Sequence, residues 1–197
     1  MQQVFETLIE TFLMDKVGIS EHFLSENLSK QLKSNLLGHL AHNDLITAGT
    51  GNETTILKNT AIRSDKIYWL DKSHDDPHEN AFFALMDEFV SYLNETCYTG
   101  ITSYEFHYAL YEKGSFYKRH LDRFRNDDRR LFSMITYLNP DWKEGDGGEL
   151  SIFHDDGQTQ NISPMNGKSV FFRSDELEHE VLQTLVPRMS ITGWLKR

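Results

Sequence analysis

From Gly100 onward the sequence breaks into eight short runs: SYEFHYALY, FYKRHLD, LFSMITYLN, GELSIF, TQNISP, KSVFFRS, HEVLQTL and MSITGWL. Each is rich in β-branched and aromatic residues, and Gly, Asp, Asn or Pro separates them. Short strands in this number predict an antiparallel jelly-roll barrel or sandwich. The first half has a different period. Val4, Phe5, Leu8, Ile9, Phe12 and Leu13 recur at helical spacing, with Gly18 as the expected stop. A second helix is expected from Ser20 as N-cap, through Phe23, Leu24, Leu28, Leu32, Leu36 and Leu40. In AFFALMDEFVSYLNETCY a third helix turns Phe82, Phe83, Met86, Phe89, Val90 and Leu93 inward. KIYWL reads as one short strand. The expected fold class is therefore α+β, a double-stranded β-helix (jelly-roll) core braced on an outer face by about three N-terminal helices.

At 197 residues nothing forces a second domain. The 20 Lys plus Arg against 30 Asp plus Glu leave a net charge of −10, which repels phosphate backbones and anionic lipid. The one basic run, YKRHLDRFRNDDRR, is interrupted by acids, so neither nucleic acid nor membrane is an expected partner. Cys97 is the only cysteine, which excludes an intramolecular disulfide and a thiolate zinc cluster. It reads as a small buried hydrophobe. The opening MQQVFETLIETFLMDK carries Glu6, Glu10 and Asp15 and makes a poor signal peptide, and no run approaches a membrane span. A cytoplasmic location is the expectation.

On a strand, residues i and i+2 share a face, so His120 and Asp122 in RHLD would project together while Leu121 points away. Alone, one such pair is common by chance. Downstream, His179 opens a strand, and Arg188 follows the Pro187 turn. Arg188, Ser190, Thr192 and Trp194 then share one face of the last strand, with Met189, Ile191 and Leu195 on the other. If the first set faces inward, a guanidinium sits inside the barrel. A buried Arg is costly without an anion, which a dicarboxylate or one of the chain's own acids could supply. Two histidines and a carboxylate suit non-haem Fe(II) with three adjacent positions open, although zinc accepts similar donors.

FYKRHLD, YLNPDWKEGDGGELSIF, LEHEV and PRMSITGW together resemble the Fe(II) and 2-oxoglutarate-dependent prolyl 4-hydroxylase superfamily, most closely the hypoxia-inducible-factor prolyl hydroxylases and their bacterial homologues. The likeness runs from about residue 20 to the end and includes IRSDKIYWL and YEFHYALYEKGSFYKRH. It implies a single dioxygenase domain over 1–197, with 1–98 mostly helical support, a lid loop at about 47–63, and a catalytic core over 99–197. It implies His120, Asp122 and His179 as iron ligands, and Arg188 and Tyr137 on the far carboxylate of 2-oxoglutarate. Tyr111 would stand at the mouth of that pocket and Thr192 would line it. Arg63, Tyr117, Arg130 and Trp194 fall where the family approaches its peptide, although exposed polarity explains Arg63 and Arg130 equally well. The implied reaction uses Fe(II), 2-oxoglutarate and dioxygen, with ascorbate as reductant, to hydroxylate an exposed proline of a protein. By analogy with bacterial and fungal relatives that protein is an elongation or ribosomal protein.

His107 shares a face with Tyr111 and has no role in this scheme; a hydrogen-bonded core histidine is the expectation. EGDGGEL precedes a strand, not a helix, so it is no phosphate loop and reads as a hairpin turn. HDDPHE reads as a solvated, flexible polar loop rather than a second metal site. Hydroxylation of a free amino acid or small metabolite, a catalytically idle peptide-binding module, and a zinc hydrolase are the competing functions.

Overall fold

The computed structural model describes residues 1–49, 61–122 and 129–197. The elements run α1 (Gln2–Asp15), β1 (Val17–Ser20), α2 (Glu26–Ala41), β2 (Ile46–Thr47), β3 (Lys66–Trp69) and α3 (Pro77–Cys97). Then follow β4 (Ser103–Tyr111), β5 (Tyr117–His120), β6 (Arg130–Tyr137), β7 (Leu150–Phe153), β8 (Thr159–Ile162), β9 (Ser169–Arg173), β10 (Glu178–Val181) and β11 (Arg188–Lys196). Two antiparallel sheets form, one ordered β1-β9-β6-β11-β4-β3-β2 and the other β5-β10-β7-β8. This is the jelly-roll core that the eight runs predict, with each run supplying one of β4 to β11.

Alternation divides the large sheet between two cores. Phe106, Tyr108, Leu110, Met134, Phe171, Met189, Ile191 and Leu195 meet Leu8, Leu32, Leu36, Phe82, Met86 and Phe89 of the helices. Ala109, Tyr111, Ile135, Tyr137, Val170 and Phe172 turn the other way, toward Leu150, Ile152 and Val181 of the small sheet. Each buried side chain of this size contributes roughly 1.5–3 kcal/mol relative to exposure, so the helices close one face and the small sheet encloses the other.

Several expectations need correction. Ser20 is no N-cap: it ends β1 opposite Ser169, and Ser25 caps α2 by accepting from the Leu28 amide. Gly18 does not break the chain but lies within β1, where a Cβ would overlap the Leu8 carbonyl oxygen; only glycine lets β1 pass so close under α1. The N-terminal half also contributes β1, β2 and β3 to the large sheet. EGDGGEL joins β6 to β7, which lie in different sheets, so it is a crossing between sheets and not a hairpin turn. HDDPHE is ordered at both ends: Lys72–His74, a short 3-10 turn, runs into it, and Asp76 caps α3 by accepting from the His78 and Glu79 amides, with Pro77 in the first turn. Cys97, at the end of α3, is exposed, not buried. The lid expected at 47–63 falls largely on residues 50–60, outside the described residues; the strands on either side of it, β2 and β3, pair with each other, and Arg63 bridges to Tyr117. Among the described residues no helix is long and apolar enough to cross a membrane.

Candidate active site

β5 and β10 pair so that His120 faces His179 across the small sheet. Asp122 lies two residues on, just beyond the end of β5, so strand alternation alone does not aim it. Arg130 Nη1 donates to its backbone carbonyl at 3.3 Å, and the Ser133 hydroxyl donates to its carboxylate at 2.6 Å. Ser133 in turn shares a hydrogen bond with Ser174 at 2.9 Å. One donor atom from each of His120, Asp122 and His179 lies within 4.8 Å of the others. His120 Nε2 and His179 Nε2 stand 3.4 and 3.6 Å from the Asp122 carboxylate oxygens.

The far nitrogens of both rings are held by backbone. His120 Nδ1 meets the Lys118 carbonyl at 2.7 Å, and His179 Nδ1 meets the Leu177 carbonyl at 3.1 Å. A carbonyl only accepts, so each Nδ1 carries a hydrogen and each ring turns its Nε2 toward Asp122. Burial lowers the His179 pKa to about 4, against the pull of Asp122, which keeps the ring neutral and able to ligate. For Asp122 burial works against ionisation, yet His179, His120 and Ser133 outweigh it and hold the carboxyl well below its usual range. Two imidazoles and an ionised carboxylate on one side form a donor set that fits Fe(II) with open positions.

Arg188 opens β11 opposite Tyr111 and is 1% exposed. Its Nε donates to the Gly148 carbonyl at 2.8 Å and its Nη1 to Ser190 at 3.4 Å, while Nη2 has no partner. Among the described residues no carboxylate pairs with this guanidinium. The Tyr137 hydroxyl is likewise buried and unpartnered, and the Tyr111 and Tyr137 rings lie 4.9 and 5.0 Å from the guanidinium carbon. Burial raises both phenols, so they stay protonated as donors. Two orphaned donors beside a buried cation call for an anion, and the carboxylate of an oxo-acid that also reaches the triad satisfies that demand. Thr192 lies farther along the same face and hydrogen-bonds Ser190 at 3.2 Å.

The remaining residues singled out in the sequence form two stacked pairs against the triad. Arg63 lies over Tyr117 at 4.3 Å, and Tyr117 stacks on His120 at 3.6 Å. Arg130 lies over Trp194 at 3.4 Å and, as noted, holds the Asp122 carbonyl. Neither is simple exposed polarity. Arg63 grips the buried Asp65 at 2.8 and 2.6 Å, and Arg130 donates to Glu105 at 2.9 Å. Each guanidinium therefore already has a carboxylate and presents a flat face.

Comparison with known proteins agrees with this geometry. Residues 106–196 match the 2OG-Fe(II) oxygenase superfamily. A crystal structure of a Pseudomonas putida prolyl-4-hydroxylase is 34% identical and superposes with a TM-score of 0.90, covering 98% of this chain and 100% of that one. The chain belongs to the 2OG-Fe(II) oxygenase superfamily. A second member by fold is a Trichoplax adhaerens prolyl hydroxylase, solved in complex with a hypoxia inducible factor oxygen degradation domain peptide fragment. It has a TM-score of 0.86 at 23% identity, over 99% of this chain and 90% of that one. Human Egl nine homolog 1 is 33% identical over 144 residues, 68% of this chain. The chain spans about a third of that relative's length.

Sequence reasoning missed three parts of this oxygenase site. Ser133 sits in an apolar strand, and its link to Asp122 appears only when β6 packs beside the end of β5. Asp65 is legible only as the neighbour of Arg63. Gly148, set aside as part of a turn, has φ 77° and approaches Arg188 so closely that a Cβ would meet the Arg188 Cδ at 3.0 Å. The paired glycines of EGDGGEL were the available signal. His74, by contrast, turns to Glu79 at 3.3 Å, and among the described residues only His120, Asp122 and His179 group as a metal set.

Proposed function

We propose that this chain is an Fe(II)- and 2-oxoglutarate-dependent dioxygenase that hydroxylates a prolyl residue of a protein substrate. The observation that carries the reading is one interior holding both a three-donor set and a buried arginine with no carboxylate partner among the described residues. His120, Asp122 and His179 would hold the iron. Arg188 and the Tyr137 hydroxyl would anchor the far carboxylate of 2-oxoglutarate, with Tyr111 at the mouth of the pocket and Thr192 lining it. When bound, iron with 2-oxoglutarate and dioxygen supplies the oxidation of an unactivated C–H bond to an alcohol, releasing succinate and carbon dioxide. The chain's own work is positional. Lys118 and Leu177 carbonyls orient the imidazoles, Ser133 keeps Asp122 aimed and ionised, and the packed interior excludes water from the pocket.

Arg63 with Tyr117 and Arg130 with Trp194 would form two flat walls for the peptide. Likeness to the Pseudomonas putida prolyl-4-hydroxylase supports proline as the target. An elongation or ribosomal protein is the substrate class we favour, with ascorbate as the reductant. The single cysteine fits a reducing, cytoplasmic setting.

The test is succinate release with Fe(II), ascorbate and a library of proline-bearing peptides, with mass spectrometry for one added oxygen on proline. The modification should vanish in His179→Ala. Turnover coupled only to small molecules would sink the peptide reading, and no turnover with any protein fraction would favour a binding module.

A further inference from the structure

Among the described residues three orphaned buried atoms remain after the cosubstrate has been given Arg188 and Tyr137: the Tyr108 hydroxyl, on the face of β4 turned to the helices, and, on the face turned to the site, His107 Nδ1 and Trp194 Nε1. His107 is 3% exposed and Trp194 is 8% exposed. They lie on the adjacent strands β4 and β11, with ring centroids 5.6 Å apart. The register fixes where they stand relative to the cosubstrate. Arg188 pairs with Tyr111, Ser190 with Ala109 and Thr192 with His107. Four residues at about 3.3 Å each place His107 roughly 13 Å along the strand from Tyr111. A five-carbon dicarboxylate held at Arg188 does not reach that far, so His107 faces whatever lies beyond it.

The surroundings describe that occupant. Trp69, on β3, packs on His107 at 4.9 Å, lies 6.4 Å from the Trp194 ring and is 42% exposed, so this aromatic cluster reaches from His107 to the surface. The Arg130 guanidinium backs the Trp194 ring. Burial, aided by Arg63, lowers the His107 pKa to about 4, so the ring is neutral at pH 7. An indole N–H can only donate, whereas a neutral imidazole nitrogen can accept. A donor and an acceptor set between flat rings match the carbonyl and N–H of an extended peptide.

We propose that His107 reads the substrate: with Trp194 it binds the backbone of one extended residue beside the residue to be hydroxylated, whose N–H and carbonyl point to the same side, His107 accepting from the N–H and Trp194 donating to the carbonyl. This rests on the peptide-hydroxylase reading above. Binding of the substrate would then satisfy two groups that are unsatisfied in its absence.

The experiment compares the wild-type protein with His107→Met and His107→Asn, using the best peptide from the screen and analogues in which one amide N–H at a time is replaced by an ester oxygen. In His107→Met the peptide KM and Kd should rise about 3- to 10-fold, as for loss of one hydrogen bond. His107→Asn, which keeps an acceptor near the Nδ1 position, should recover part of that. One ester analogue should lose the same factor against wild type and nothing further against His107→Met. Because Met removes an unsatisfied polar atom, Tm should rise while peptide affinity falls. A fall in Tm, or peptide affinity equal to wild type, overturns the proposal and leaves the peptide-hydroxylase reading standing. If no peptide binds or turns over with the wild-type protein, both readings are overturned.

Discussion

Asp122 shows how much one hydroxyl can do. It is buried, stays ionised, and is aimed by the Ser133 hydroxyl at 2.6 Å, which Ser174 orients in turn. Removing such a support to a metal ligand typically costs 10- to 100-fold in affinity. Ser133→Ala should therefore weaken Fe(II) binding by about that factor while leaving the fold intact, measured by competition with a chelator. The buried histidines predict an acid response of the metal-free protein. The folded pKa values of His107 and His179 are lowered by burial to about 4, below the usual histidine value of 6.5. As pH falls below 6.5 the unfolded chain binds protons that the folded chain refuses, so stability is lost progressively until pH reaches about 4. Urea midpoints should fall between pH 7 and pH 4.5, and His107→Met should flatten part of that slope; an unchanged slope would mean that His107 titrates alike in both states.

At the scale of elements, close backbone approaches carry the arrangement. Gly18→Ala would drive a methyl into the Leu8 carbonyl and push α1 off β1, costing about 1–3 kcal/mol, to be read as a drop in urea midpoint. Gly148→Ala should lower the urea midpoint, since φ 77° strains any residue with a Cβ, and its methyl would press on Arg188 Cδ, so the KM for 2-oxoglutarate should rise as well. The strands β4 to β11 were legible because each alternates and ends at a turn residue. β1 was not, because four residues containing a glycine have no signature of their own and become a strand only by pairing with β9. The same pairing claims Ser20 and leaves the cap of α2 to Ser25. In the site, residues on strands could be read by face: Tyr111, Tyr137 and Arg188 lie on strands that alternate between the two cores. Ser133 and Gly148 could not, since each acts on a residue from another segment of the chain.

Across the whole molecule, ligand binding should appear as stability. With a redox-inert divalent metal and 2-oxoglutarate at a hundred times its Kd, linkage gives about 2.7 kcal/mol, or roughly 5–10 °C in Tm for a chain of this size. Chelator should reverse the shift, and Arg188→Met should abolish the 2-oxoglutarate part. Val17 pairs with Phe172, so the first strand and one of the last share a sheet edge. During synthesis the N-terminal helices leave the ribosome long before that partner exists. Neither α1 nor β1 can settle until nearly the whole chain has been made, and a product truncated before β9 would present an unpaired edge rather than a smaller working enzyme.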